Sequence, residues 1–274
     1  MVEAALDEGV TFFDTADVYG DGESERYLGQ ILERRRDEVV LATKFGWNAG
    51  DGTPTASADH AKRAIEASLE RLRTDHVDLY YYHRPDGVTP FEETLGALDE
   101  LVRDGKARFA GCSNLSAEQL RDVTEIAERE GLTRIVALQN EYSLLQRSAE
   151  EAVLPLCREH GIGFVPYFPL ASGLLTGKYR RAAEAPRGSR LEGRPERLTE
   201  ETFDAVEALE RFADERGHTT LELAIGALAS TPGVASVIAG ATTPEQVRAN
   251  ARAHAWQLSE DELGALRSVL ARAA

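Results

Sequence analysis

The chain has 274 residues, 28% of them charged and 42% hydrophobic, the balance of a soluble globular protein long enough to bury a full core. A formal net charge of -16 repels phosphate backbones, so no nucleic-acid partner is expected. No stretch offers the ~20 apolar residues that span a bilayer, nothing at the start has signal-peptide character, and the two cysteines, Cys112 and Cys157, sit singly in apolar runs. The expectation is a cytoplasmic protein with buried free thiols and no membrane partner.

In chain order, residues 2–8 read as a helical segment stopped by Gly9, and residues 10–13 as a first strand-like run of β-branched and aromatic residues. Further such runs cover 39–42, 77–81, 107–112, 135–139, 162–167 and 234–238. Helix-like segments lie at 24–35, 57–73, 90–104, 116–130 and 149–160, several opened by Ser or Pro and closed by Gly. Residues 177–199, rich in Arg, Gly, Ala and Pro, break the rhythm and read as a long loop over strand ends, and 259–271 as an extra terminal helix. Strands separated by helices imply βαβ crossovers and a parallel sheet, hence an α/β fold and a (β/α) barrel over residues 1–274 as one domain. The count is seven strands, and a leading helix should itself follow a strand. The first β-strand of the barrel is therefore expected to be absent from the chain, leaving two unpaired sheet edges.

Four polar residues close or follow the first three runs: Asp14 and Tyr19 in Phe13-Asp14-Thr15-Ala16-Asp17-Val18-Tyr19-Gly20, then Lys44, then His83. Taken alone, Asp14 reads as a turn or cap residue, Tyr19 as a half-buried aromatic and His83 as a satisfied core histidine. Lys44 resists that reading, because an ammonium at the end of a buried strand needs an anion, and Asp14 is the obvious one. An Asp14–Lys44 pair beside Tyr19 favours the tyrosinate, so the phenol can hand a proton to a developing alkoxide, while His83 orients the carbonyl. No nucleophile–base pair and no metal-ligand spacing is evident, so no metal is expected and a hydride donor must come from a cofactor.

These residues resemble the catalytic tetrad of the aldo-keto reductase family, NAD(P)H-dependent (β/α)8-barrel enzymes, in the order FDTADVYG, LATKFG and LYYYHRPD. GCSNL (111–115), LQNEYSLLQR (138–147), PLASGLLTGKY (169–179) and TTPEQVRAN (242–250) extend the similarity to about Leu258, within the branch that holds bacterial reductases and potassium-channel β subunits. The resemblance implies that Ser113, Asn114 and Gln139 bind the nicotinamide carboxamide and that Tyr167 stacks on its ring. It further implies that Leu170, Ser172, Gly173, Leu174 and Lys178 hold the pyrophosphate with Arg190 as a clamp, and that Gly240, Thr242, Gln246 and Asn250 meet the adenosine end. Phe45 and Trp47 are candidate walls of the substrate pocket. Departures are Phe168 where relatives often carry serine, Ala249 where a glutamate commonly reads the adenine, and no cation at 240–242 or 246. The implied cofactor is NADP, with NAD as the alternative, and the substrate a small carbonyl compound. Two other readings stand beside the enzyme: a cofactor-sensing module like the channel β subunits, and a truncated inactive product.

Overall fold

Runs such as Val-Leu-Ala-Thr-Lys-Phe and Val-Asp-Leu-Tyr-Tyr-Tyr carry bulk on both faces, the signature of strands covered on two sides. In the computed structural model, which describes residues 1–47 and 53–273, they form β2 (Val40–Phe45) and β3 (Val77–Tyr82). With β1 (Phe12–Asp14), β4 (Ala107–Ser113), β5 (Ile135–Glu141) and β6 (Gly163–Tyr167) they make one sheet in chain order, and the pairs from β1–β2 to β4–β5 are all parallel. The fold is α/β with parallel strands.

Two units divide the chain. The first, residues 2–140 and 152–164, holds the strand–helix alternation. Its helices are α1 (Val2–Asp7), α2 (Glu23–Leu32), α3 (Ala58–Leu72), α4 (Phe91–Arg103), α5 (Ala117–Glu130) and α6 (Val153–His160). Ser57 caps α3 through the His60 N–H, and Ser116 with Gln119 forms a reciprocal capping box on α5, which satisfies amide donors that the first turn leaves free. From α2 to α6 each helix packs on the next. The last of them starts later than the expected 149, because the Pro155 ring cannot coexist with a helical carbonyl at residue 151; a separate turn covers Ser148–Glu150. At Gly111 on β4 an added Cβ would come within 2.6 Å of the Tyr81 ring, so the strand needs glycine where the phenol crosses it.

The second unit, residues 141–151 and 165–274 with Met1, carries α7 (Glu200–Asp214), α8 (Thr220–Ala229), α9 (Pro244–Arg252) and α10 (Glu260–Ala273). Leu174, Leu175, Tyr179, Leu191, Phe203, Leu209, Leu223 and Leu266 belong to its core. Residues 177–199 form the expected loop, built of successive turns with a short 3-10 helix at Pro195–Arg197. The segment 234–238 is a correction: only Val234 makes a bridge, and residues 235–240 run without strand pairing. Its β-branched residues are only half-buried, and no ladder of backbone partners is present to convert an extended run into a strand.

Candidate active site

Strand parity sets the site in the first unit. Ala42 and Lys44 share a face of β2, and Lys44 lies in register with Tyr81 of β3. The Lys44 side chain is completely buried, its Nζ 2.5 Å from Asp14 Oδ1 and 2.7 Å from the Thr15 carbonyl. The second carboxylate oxygen of Asp14 accepts from Gln139 Nε2 at 2.9 Å, so β1, β2 and β5 meet at one charged knot. A buried ammonium is tolerated there because each of these contacts offsets its lost hydration.

Tyr19 stands on the β1–α2 turn. Gly20, Asp21 and Gly22 all adopt left-handed backbone, and the turn is closed by Tyr19 N–H to Ala16 O at 3.1 Å and Ser24 N–H to Tyr19 O at 3.2 Å. Tyr19 is 42% exposed as a residue, and its ring centroid lies 5.0 Å from Lys44 Nζ. His83, just past β3, meets the Tyr19 ring edge-on at 5.9 Å and the Trp47 indole at 4.8 Å. Burial, helped by the charges of Lys44 and Arg84, lowers its pKa to about 3, so the imidazole is neutral across the working range and can donate from only one nitrogen. Ser113 Oγ donates to the Gln139 carbonyl at 2.7 Å, and Asn114 Nδ2 donates to the His83 carbonyl at 2.9 Å from a left-handed backbone at φ 60°. Asp14, Tyr19, Lys44, His83, Ser113, Asn114 and Gln139 are thus brought together. Phe45 is not with them: it is fully buried on the opposite face of β2, stacked on Tyr80 at 4.9 Å, which corrects its assignment to a pocket wall.

In the second unit, Tyr167 ends β6 with its ring edge against Phe168 at 5.2 Å. From Phe168 to Gly173 the backbone is left-handed at Phe168 (φ 55°), Ala171 (46°), Ser172 (58°) and Gly173 (94°), a concentration of strained conformations in one short segment. Leu170 and Ser172 are half-buried and Leu174 is buried. The exposed Lys178 arches over Gly173, where a Cβ would lie 2.4 Å from its Cε. Arg190 places its guanidinium 5.2 Å from the Phe168 ring centroid, so the exposed Phe168 is a platform for a cation. Gln246 Oε1 accepts from Thr242 N–H at 2.8 Å and Thr242 Oγ1 at 3.0 Å, in front of α9, on which Asn250 lies; Gly240 precedes them in the extended segment.

A family model, aldo/keto reductase, matches residues 1–271. The chain belongs to the aldo/keto reductase family. It is 39% identical over 266 residues to a probable voltage-gated potassium channel subunit beta of Arabidopsis thaliana, covering 92% of this chain and 80% of that protein. It is 34% identical to the aldo-keto reductase YhdN of Bacillus subtilis, covering 98% and 82%. To the L-glyceraldehyde 3-phosphate reductase of Escherichia coli it is also 34% identical, covering 92% and 77%. The chain is an oxidoreductase of this family by those matches, and no helix among its described residues is long and apolar enough to cross a membrane.

Sequence reading missed a buried polar cluster on the other face of β2. Glu25 of α2 is fully buried; its carboxylate accepts from Thr43 Oγ1 at 2.5 Å and from Arg71 Nε of α3 at 2.6 Å. Tyr80, in register with Thr43, is also fully buried and its hydroxyl has no hydrogen-bond partner. The signal was present in the spacing, since Glu25 falls on the helix face of Leu28 and Leu32.

Proposed function

We propose that this aldo/keto reductase is an NAD(P)H-dependent reductase of aldehydes or ketones. The observation that carries the reading is the buried Asp14–Lys44 pair, with its ammonium 5.0 Å from the ring of a partly exposed tyrosine. Lys44 stabilises negative charge on the phenolic oxygen, Asp14 and Gln139 hold Lys44 in place, and Tyr19 gives its proton to the oxygen of the carbonyl as that oxygen becomes an alkoxide. Neutral His83 orients the carbonyl by a hydrogen bond, and Trp47 beside it walls the substrate.

The residues fit a nicotinamide cofactor, which when bound supplies the hydride. In the first unit Ser113, Asn114 and Gln139, held by their bonds to the Gln139 carbonyl, the His83 carbonyl and Asp14, would meet the carboxamide, and in the second unit Tyr167 would offer a face to the ring. The tight turns from Phe168 to Gly173, closed by Ala171 N–H to Phe168 O and Gly173 N–H to Leu170 O, bring Leu170, Ser172, Gly173 and Leu174 into one short segment beside the exposed cations Lys178 and Arg190, which supports pyrophosphate binding there. Gly240, Thr242, Gln246 and Asn250, around the start of α9, would hold the adenosine end. NADP is the proposed cofactor, by a modest margin over NAD, because the charge for a 2'-phosphate must come from Arg190 or from Arg248, which is already 3.8 Å from Glu245. The scaffold proposed is a single (β/α)8 barrel domain, in a cytoplasmic protein acting on a small-molecule carbonyl.

Tyr19→Phe is expected to abolish carbonyl reduction while quenching of protein fluorescence by NADPH stays near the wild-type response. Substantial turnover by the variant would overturn the acid assignment. Likeness to a channel β subunit favours a second reading, a cofactor-sensing module; tight NADPH binding without turnover of any aldehyde or ketone would support it.

A further inference from the structure

Asp17 lies two residues before Tyr19 on the turn that carries the phenol. Its N–H donates to the Lys44 carbonyl at 3.2 Å, tying the turn to the end of β2. Its side chain is directed inward, and Oδ1 is buried without a hydrogen-bond partner. The charges of Glu25 on α2, Arg71 on α3 and, least, Lys44 on β2 act on its carboxylate, which in turn acts on the buried, unpartnered hydroxyl of Tyr80 on β3. Glu25 and Arg71 already satisfy one another, so the net charge of this pocket changes by one when Asp17 gains or loses its proton.

We propose that Asp17 is a positioning residue whose charge sets the donor strength of the Lys44–Tyr19 pair. The inference rests on the reductase reading and deepens it. Burial, and after it repulsion from Glu25, raises the Asp17 pKa to about 6, against the pull of the Val18 N–H, Arg71 and Lys44. Ionised Asp17 claims part of the field of Lys44 and leaves less for a developing tyrosinate. Protonated Asp17 returns it. The reducing step is then faster below pH 6 than above it.

Wild type, Asp17→Asn and Tyr19→Phe are compared with NADPH and 4-nitrobenzaldehyde, an aldehyde that does not itself titrate, from pH 5 to 8. Wild-type kcat is expected to fall roughly three- to tenfold as pH rises through about 6. Asp17→Asn should hold the low-pH rate across that window with an unchanged KM. A retained break near pH 6 in Asp17→Asn, or a uniform loss at every pH, overturns the proposal. Failure of the reductase reading shows separately, as equal turnover by wild type and Tyr19→Phe or none by either. In that event a readout without turnover decides: the 13Cζ resonance of Tyr19 should titrate at lower pH in Asp17→Asn than in wild type, and coincident titrations sink the coupling.

Discussion

Replacing Lys44 by methionine removes an ammonium of zero exposure and leaves Asp14, whose side chain is 8% exposed, with a single donor in Gln139. Removing one member of a buried ion pair costs about 3–5 kcal/mol, because the survivor keeps its desolvation without its partner. The Gln139 amide softens the loss, while the Thr15 carbonyl loses its 2.7 Å donor and adds to it, so the middle of that range, about 4 kcal/mol, is expected. Such a loss is a large part of the ~5–15 kcal/mol that holds most domains folded. Asp14→Asn combined with Lys44→Met removes both charges, and most of the stability should return although activity does not. Urea unfolding of the two single variants and the double variant at pH 7 closes the cycle. A Lys44→Met protein within about 1 kcal/mol of wild type, or a double variant as unstable as the sum of the singles, would refute the buried pair as the organising contact.

His83 folds without a proton at about 3, below its ordinary 6.5, so the unfolded chain binds the extra proton and stability drops as pH falls from 6.5 toward 3. Between pH 6.5 and 4.5 that amounts to roughly 2–3 kcal/mol, a slope that His83→Asn should lack in thermal melts. Asp17 has the opposite sign: its raised value penalises the folded state above about 6, and the penalty fades as pH falls toward 3.8, so Asp17→Asn should raise the melting temperature at pH 7 more than at pH 4. Arg190→Ala should weaken NADPH several-fold while NADH changes little, by fluorescence titration at matched ionic strength; equal weakening would remove Arg190 from the 2'-phosphate. Gly29→Ala would set a Cβ 2.4 Å from the Arg71 carbonyl and force α2 off α3, costing on the order of 1–3 kcal/mol in urea unfolding.

The Asp14–Lys44 pair was legible because its parts are local signals: a lysine closing an apolar strand demands an anion, and Asp14 sits at the end of the preceding strand. Gln139 as the second partner of Asp14 was not, since 125 residues separate them and only the sheet brings them together. Phe45 was misplaced by adjacency to Lys44, when alternation along β2 sends neighbours to opposite faces. α8 escaped notice because Leu223 to Leu228 are buried on every side and carry no amphipathic period. The segment 234–238 has the right residues for a strand, but composition cannot report whether a backbone partner is alongside it.

Lys44 and Thr43 serve two separate polar clusters through one strand, and this makes the enzyme's chemistry a question of counting. A shift of β2 by one residue would turn Lys44 toward Glu25 and Arg71, send Phe45 to the face of Asp14, and leave Asp14 without its cation. Composition, helix content and much of the apolar burial would survive such a slip. One inserted or deleted residue within 40–44 is therefore a far more radical edit than the same change among the exposed residues 182–184, and length variation in this family should be tolerated in the loops and refused in the stave that carries the lysine.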